Sequence, residues 1–270
     1  MLAKLFISLV RISPSFQKAV WKWWYQILGK RGHDIGWTFM NYGFRPDDKE
    51  LSPNLKPQDE SNRIFIQLYD YAASQIPLDG LKVLEVGSGR GGGASFIARY
   101  YKPSSMTGLD YSLSAVKLSK SLHGEVSNLD FVEGDAENLP FEDNTFDAVV
   151  NVESSHCYGN MKSFISEVHR VLKVGGHFSW VDLRGKDMVN DTESIFTDSK
   201  LKSIHEKDIT KQVVNALDEI HDQKTELISI HVPKIIQGAF KDFAGVKDSQ
   251  IYNAFKNGNS VYLSKAFQKI

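Results

Sequence analysis

The sequence predicts an α/β fold, doubly wound around a mostly parallel sheet. Three observations carry that expectation. Between residues 82 and 183, short apolar runs alternate with amphipathic stretches. A glycine-rich turn follows the first of those runs, in KVLEVGSGRGGGA at residues 82–94. Near the end of the chain, residues 260–268 alternate as a last strand does. A chain of 270 residues is long enough to bury a full core.

In chain order, residues 1–31 are basic and aromatic, with Lys4, Arg11, Lys18, Lys22, Lys30 and Arg31 and no acid before Asp34. Trp21, Trp24, Tyr25 and Leu28 suit a helix that caps the core. The other reading is an amphipathic segment touching a membrane or a lipid substrate. The apolar run at 5–10 is too short to span a bilayer and lacks a small-residue cleavage site. Residues 43–58, with Pro46, Pro53 and Pro57, read as a loop that orders over a ligand. Residues 59–76 follow as a helix, with Ile64, Phe65, Leu68, Tyr69 and Ala72 on one face.

Strands are then expected around Val83–Val86 and at 105–111, 129–133, 146–152 and 177–183. Helices are expected between them at 94–101, 112–123 and 162–172. Ser112 is placed as an N-cap, and Gly175-Gly176 ends the third helix. Residues 187–236 turn charged and helical and contain no glycine, so they are expected to add helices rather than sheet. The resulting division is a cap at 1–76, a core at 77–186, a helical lid at 187–248, and a helix and strand at 249–270.

The net charge of −1 gives no field for nucleic acid. The single cysteine, Cys157, excludes an internal disulfide and fits a reducing, cytoplasmic setting, peripheral to a membrane at most. The histidines show no ligand spacing, and no metal is expected.

The spacing Gly87-x-Gly89-x-x-Gly92 fits nucleotide sites of several kinds. Its glycines remove side chains where backbone must approach a ligand. Glu85, two residues earlier, suits a ligand bearing an amine and a sulfonium, as S-adenosylmethionine (SAM) does. Asp110 ends the second strand, where an acid accepts from ribose hydroxyls. His156 follows the fourth strand, and Asp182 ends the fifth. An aliphatic alcohol hardly ionises at neutral pH, and a histidine oriented by an acid can take its proton during methyl transfer.

LEVGSGRGGGASF, TGLDYS, DFVEGDAENLPFEDNTFDAVVNVESSHCY and EVHRVLKVGGHFSWVDLR together resemble class I SAM-dependent methyltransferases. More narrowly, the chain is similar to the phthiotriol/phenolphthiotriol dimycocerosates methyltransferases, from WKWWYQ to SVYLSKAF. The resemblance implies a Rossmann-like, seven-stranded type of sheet with an N-terminal helical segment and a helical insertion after the fifth strand. It also implies SAM as cofactor and O-methylation of a hydroxyl on a hydrophobic small molecule, a lipid or polyketide. Glu85, Gly87, Ser88 and Gly89 then lie at the methionine end of SAM, Asp110 and Tyr111 at the ribose, and Asp135 and Ala136 at the adenine. Asn151 is expected near the transferring methyl, and Tyr25, Tyr42 and Glu153 in the substrate pocket. Two alternatives stay open: C-methylation of a sterol or quinone-like substrate, and an NAD-linked oxidoreductase. The absence of a Tyr-x-x-x-Lys pair after the fourth strand counts against the oxidoreductase.

Overall fold

A computed structural model of the protein describes residues 38–48, 52–232, 234 and 237–270. The first expected helix and Tyr25 lie outside the described residues. After a 3-10 turn at Pro57–Asn62 comes α1, Arg63–Ala73. The core then runs β1 Lys82–Val86, α2 Gly92–Tyr100, β2 Ser105–Asp110, α3 Leu113–His123, β3 Leu129–Glu133, β4 Phe146–Val152, α4 Met161–Val171 and β5 Leu172–Gly185. There follow α5 Val189–Thr197, β6 Leu201–Asp208, α6 Thr210–Glu219, α7 His221–His231, α8 Gln237–Phe243, α9 Gln250–Lys256 and β7 Ser260–Lys269.

The seven strands form one sheet in the order β3-β2-β1-β4-β5-β7-β6. The first five are parallel, and β7 runs antiparallel to both β5 and β6. The central strands are buried on both faces, so they read as apolar runs. Alternate residues supply two cores. Val83 and Val150 pack with Leu68, Ala72 and Phe96 on one side of the sheet. Leu84, Val86 and Val149 pack with Phe164, Val168 and Trp180 on the other. Helix starts follow their caps: the Ser112 and Asn160 side chains accept from the Ala115 and Ser163 N–H groups.

The order of β1, β2 and β4 puts a reversal of strand direction of travel at β1. Ligands bind at such points, beyond the carboxyl ends of the strands. β1 and β2 both end there, at Val86 and Asp110, and β4 ends at Val152.

Three elements depart from the sequence expectation. Residues 187–236 are not helical throughout, because Leu201–Asp208 forms the edge strand β6. Its burial explains the miss: only Leu201 is buried, and the strand carries the charges of Lys202, Glu206, Lys207 and Asp208, as edge strands do. β5 begins at Leu172 rather than at 177. Its pairing with β4 is irregular between Phe146 and Ala148, and Gly175 there has φ +80°. Residues 227–240, whose apolar residues recur at helical spacing, do not form one helix but divide between α7 and α8, and the sequence carries Pro233 between them.

Candidate active site

The glycine turn is held to β2 by the Gly87 and Ser88 N–H groups, which donate to the Leu109 carbonyl at 2.8 and 2.9 Å. Gly87 has φ +78°, and a Cβ there would stand 2.2 Å from Ser154 Oγ. A Cβ on Gly93 would fall 1.9 Å from the Tyr69 ring, so α2 can approach α1 only without one. The turn thereby keeps side chains away from the strand end and brings Asp110 against the loop. The Asp110 carboxylate accepts from the Gly89 N–H at 2.8 Å through one oxygen and from the Ser112 N–H at 2.8 Å through the other. Burial pushes its pKa up to about 6, with the Ser112 and Gly89 N–H groups opposing.

A cavity of about 1190 Å³, its open mouth included, lies over these strand ends. Gly87, Ser88, Gly89, Asp110, Tyr111, Asp135 and Ala136 are on its wall, as expected for a single site. Ser88 Oγ is buried there without a hydrogen-bond partner. An Asp110 carboxylate has further lone pairs to offer, and the Gly89 backbone is uncovered by a side chain, so the residues fit a nucleoside-bearing cofactor.

Glu85 and Asn151 stand behind that wall. Glu85 is fully buried; Tyr69 Oη donates to its Oε1 at 2.7 Å, and its Oε2 has no partner. Burial raises its pKa to about 8, opposed by the Tyr69 hydrogen bond. Asn151 Nδ2 donates to Val86 O at 2.9 Å and lies 2.8 Å from Ser154 Oγ and 3.1 Å from Tyr158 Oη. Through those contacts it fixes Ser154 and Tyr158, both of which line the cavity.

His156 and Asp182 are brought together. His156 Nδ1 lies 2.8 Å from Asp182 Oδ1, and the His156 N–H donates to Asp182 Oδ2 at 2.9 Å. Asp182 is fully buried and is further held by Ser155 Oγ at 2.6 Å and Arg184 Nη1 at 3.2 Å. Burial acts to raise the Asp182 pKa, but His156 and Arg184 outweigh it and hold the carboxyl well below the usual range. For His156, burial favours the neutral ring, yet Cys157 and Asp182 push its pKa well above the ordinary value. The ring is beside the cavity rather than on its wall, where Glu153, Ser154, Cys157 and Tyr158 stand.

Sequence reasoning missed Arg184, which braces Asp182 from two residues along β5 and stacks 4.8 Å over Trp180. The period-2 spacing was the available signal. It also missed the support of Glu153. Tyr42 N–H and Tyr262 Oη both donate to Glu153 Oε2, at 2.7 and 2.5 Å. These partners lie more than a hundred residues away, so no local pattern reveals them. Burial pushes Glu153 to about 7, and the Tyr262 and Tyr42 hydrogen bonds work against it.

Residues 84–180 match the family model described as a methyltransferase domain. Along 257 residues the chain is 36% identical to the phthiotriol/phenolphthiotriol dimycocerosates methyltransferase of Mycobacterium leprae, covering 95% of this chain and 94% of that protein. The chain belongs to that family of class I SAM-dependent methyltransferases. It is also 33% identical over 260 residues to the fatty-acid O-methyltransferase of Mycolicibacterium smegmatis, covering 96% of this chain and 92% of that one. Among solved structures, the [4+2]-cyclase SpnF superposes with a TM-score of 0.73 at 20% identity, covering 94% of this chain and 96% of that chain. That likeness concerns the fold alone, because one fold hosts different chemistries. The methyltransferase family implies SAM, and the cavity wall described above fits it. No helix among the described residues is long and apolar enough to cross a membrane.

Proposed function

We propose that this methyltransferase transfers the SAM methyl group to a hydroxyl of a hydrophobic small molecule, a lipid or polyketide, with His156 as general base. The observation that carries the reading is the His156–Asp182 pair at the carboxyl ends of β4 and β5, beside the cavity. SAM supplies an electrophilic sulfonium methyl. Asp110 and Tyr111 bind the ribose, Asp135 and Ala136 the adenine, and Gly87–Gly89 the methionine end. Glu85 and Asn151 support that end from behind the wall. Asp182 engages Nδ1, so His156 would receive the hydroxyl proton at Nε2, and Asp182 would stabilise the imidazolium. A ring held protonated must first lose that proton before it can act as base. Tyr42 and Glu153 lie on the acceptor side. Holding oxygen, carbon and sulfur in line supplies the rest of the acceleration.

A second assignment of the base is favoured by one observation: the Glu153 carboxyl lines the cavity, where burial pushes its pKa up to about 7. The test of the function is incubation with methyl-labelled SAM and a hydroxylated long-chain lipid, read by mass spectrometry. The reading expects the label in an O-methyl ether. Label on carbon assigns C-methylation instead, and absence of transfer to any hydroxyl removes the proposed substrate class.

A further inference from the structure

Next to the cofactor-side cavity lies a second chamber of about 860 Å³, its open mouth included. Phe65, Leu227, Ile228, Phe240 and Phe243 give it an apolar wall, and Lys224 of α7 faces it. Met40, Asn41 and Arg90 border both cavities. Lys224 is an unusual side chain for such a place. Its Nζ donates to the Ala244 carbonyl at 2.9 Å and stands 5.7 Å from the Tyr42 ring centroid and 5.5 Å from that of Phe65. An ammonium has three donors, so this bond leaves two. Among the described residues, the wall carries two basic side chains, Arg90 and Lys224, and no Asp or Glu.

Among the described residues no carboxylate lies within 4 Å of this ammonium, and the more distant Glu153 acts on it only through space. A cation enclosed by aromatic rings without a direct ion pair is costly, and an incoming anion offsets that cost. The surrounding wall is suited to hydrocarbon. We propose that this chamber binds an acyl chain whose carboxylate pairs with Lys224. The proposal rests on the methyltransferase reading and names its acceptor class: the carboxylate is the handle, and a hydroxyl elsewhere on the chain is presented to the neighbouring cavity. A carboxylate suits the site better than a phosphate monoester. The latter brings up to about two charges and three strong acceptor oxygens, more than the spare donors of Lys224 satisfy.

The test is calorimetric titration of the whole protein, saturated with S-adenosylhomocysteine, at about pH 7, where a carboxylate is ionised. The probes are dodecanoate, dodecanol and dodecyl phosphate. Dodecanoate should bind at least about tenfold more tightly than dodecanol, as a charge-assisted hydrogen bond implies. Lys224→Met should erase that preference, and Lys224→Arg should retain it. Equal affinity for acid and alcohol in the parent overturns the proposal, as does a preference that survives Lys224→Met. Tighter binding of dodecyl phosphate than of dodecanoate overturns the assignment of the carboxylate. Titration of S-adenosylhomocysteine on the same samples is read separately. Its loss would remove the methyltransferase reading, whereas equal acid and alcohol binding with it bound removes only the role of Lys224.

Discussion

The cavity over the strand ends and the chamber under α7 and α8 are built in opposite ways. Besides residues 38–41 and Tyr69, the cavity takes its wall from short segments in sequence order: residues 87–90, 110–112, 134–137, and 153–154 with 157–158. Each follows a strand of the parallel sheet, so the fold delivers them to one place. The chamber joins residues near 40 and 65 to residues between 223 and 244. Nothing local in the sequence couples those segments. Both walls are mostly apolar, but the cavity wall carries Asp110, Asp135, Glu137 and Glu153, whereas the chamber wall carries Lys224 and no carboxylate. A cofactor of fixed shape can be held by fixed local geometry. A variable acceptor calls for a surface that can change without disturbing the sheet.

The comparison can be broken first at the point of reaction. His156→Ala should lower turnover by about 10²–10⁴ with SAM affinity unchanged, measured by single-turnover rates and calorimetry. Activity should rise with pH as the ring loses its proton. If Glu153→Gln costs more than His156→Ala, the carboxylate on the cavity wall takes the role of base.

The next largest effect belongs to the chamber. Phe243→Ala should raise KM for a long-chain acceptor by about tenfold to a hundredfold, from roughly 1.5–3 kcal/mol of lost apolar burial. SAM binding should stay the same. A matching loss of SAM affinity would mean that the two regions are not separate.

The smallest effect lies behind the cavity. Burial raises the Glu85 pKa from 4.5 to about 8. The stability it contributes is therefore full below its unfolded value and is lost as pH rises through about 8. The melting temperature of the cofactor-free protein should fall over that window, and Glu85→Gln should flatten the dependence. A pH profile identical in the variant would remove Glu85 as its source.

The two regions also differ in how far the sequence discloses them. Strand ends, glycines and the acids beside them are readable because each segment carries its own spacing; His156 and Asp182 were placed by strand position together with the family resemblance. Glu85 and Asn151 were legible as site residues but not as supports behind the wall, since depth depends on Tyr69 and Tyr158 packing over them. β6 was hidden because an exposed charged edge has almost no apolar period. Lys224 carried no signal, because a lysine on a charged helix looks solvated until Tyr42 and Phe65 are seen against it.

The most direct test of this division is calorimetry of SAM on Asp110→Ala beside the parent protein. Affinity should be weaker by about tenfold or more, with the fold intact by circular dichroism. In the parent, affinity should also weaken below about pH 6, where the buried carboxylate gains its proton. Unchanged affinity in Asp110→Ala would contradict the account and remove the cavity over the strand ends as the SAM site.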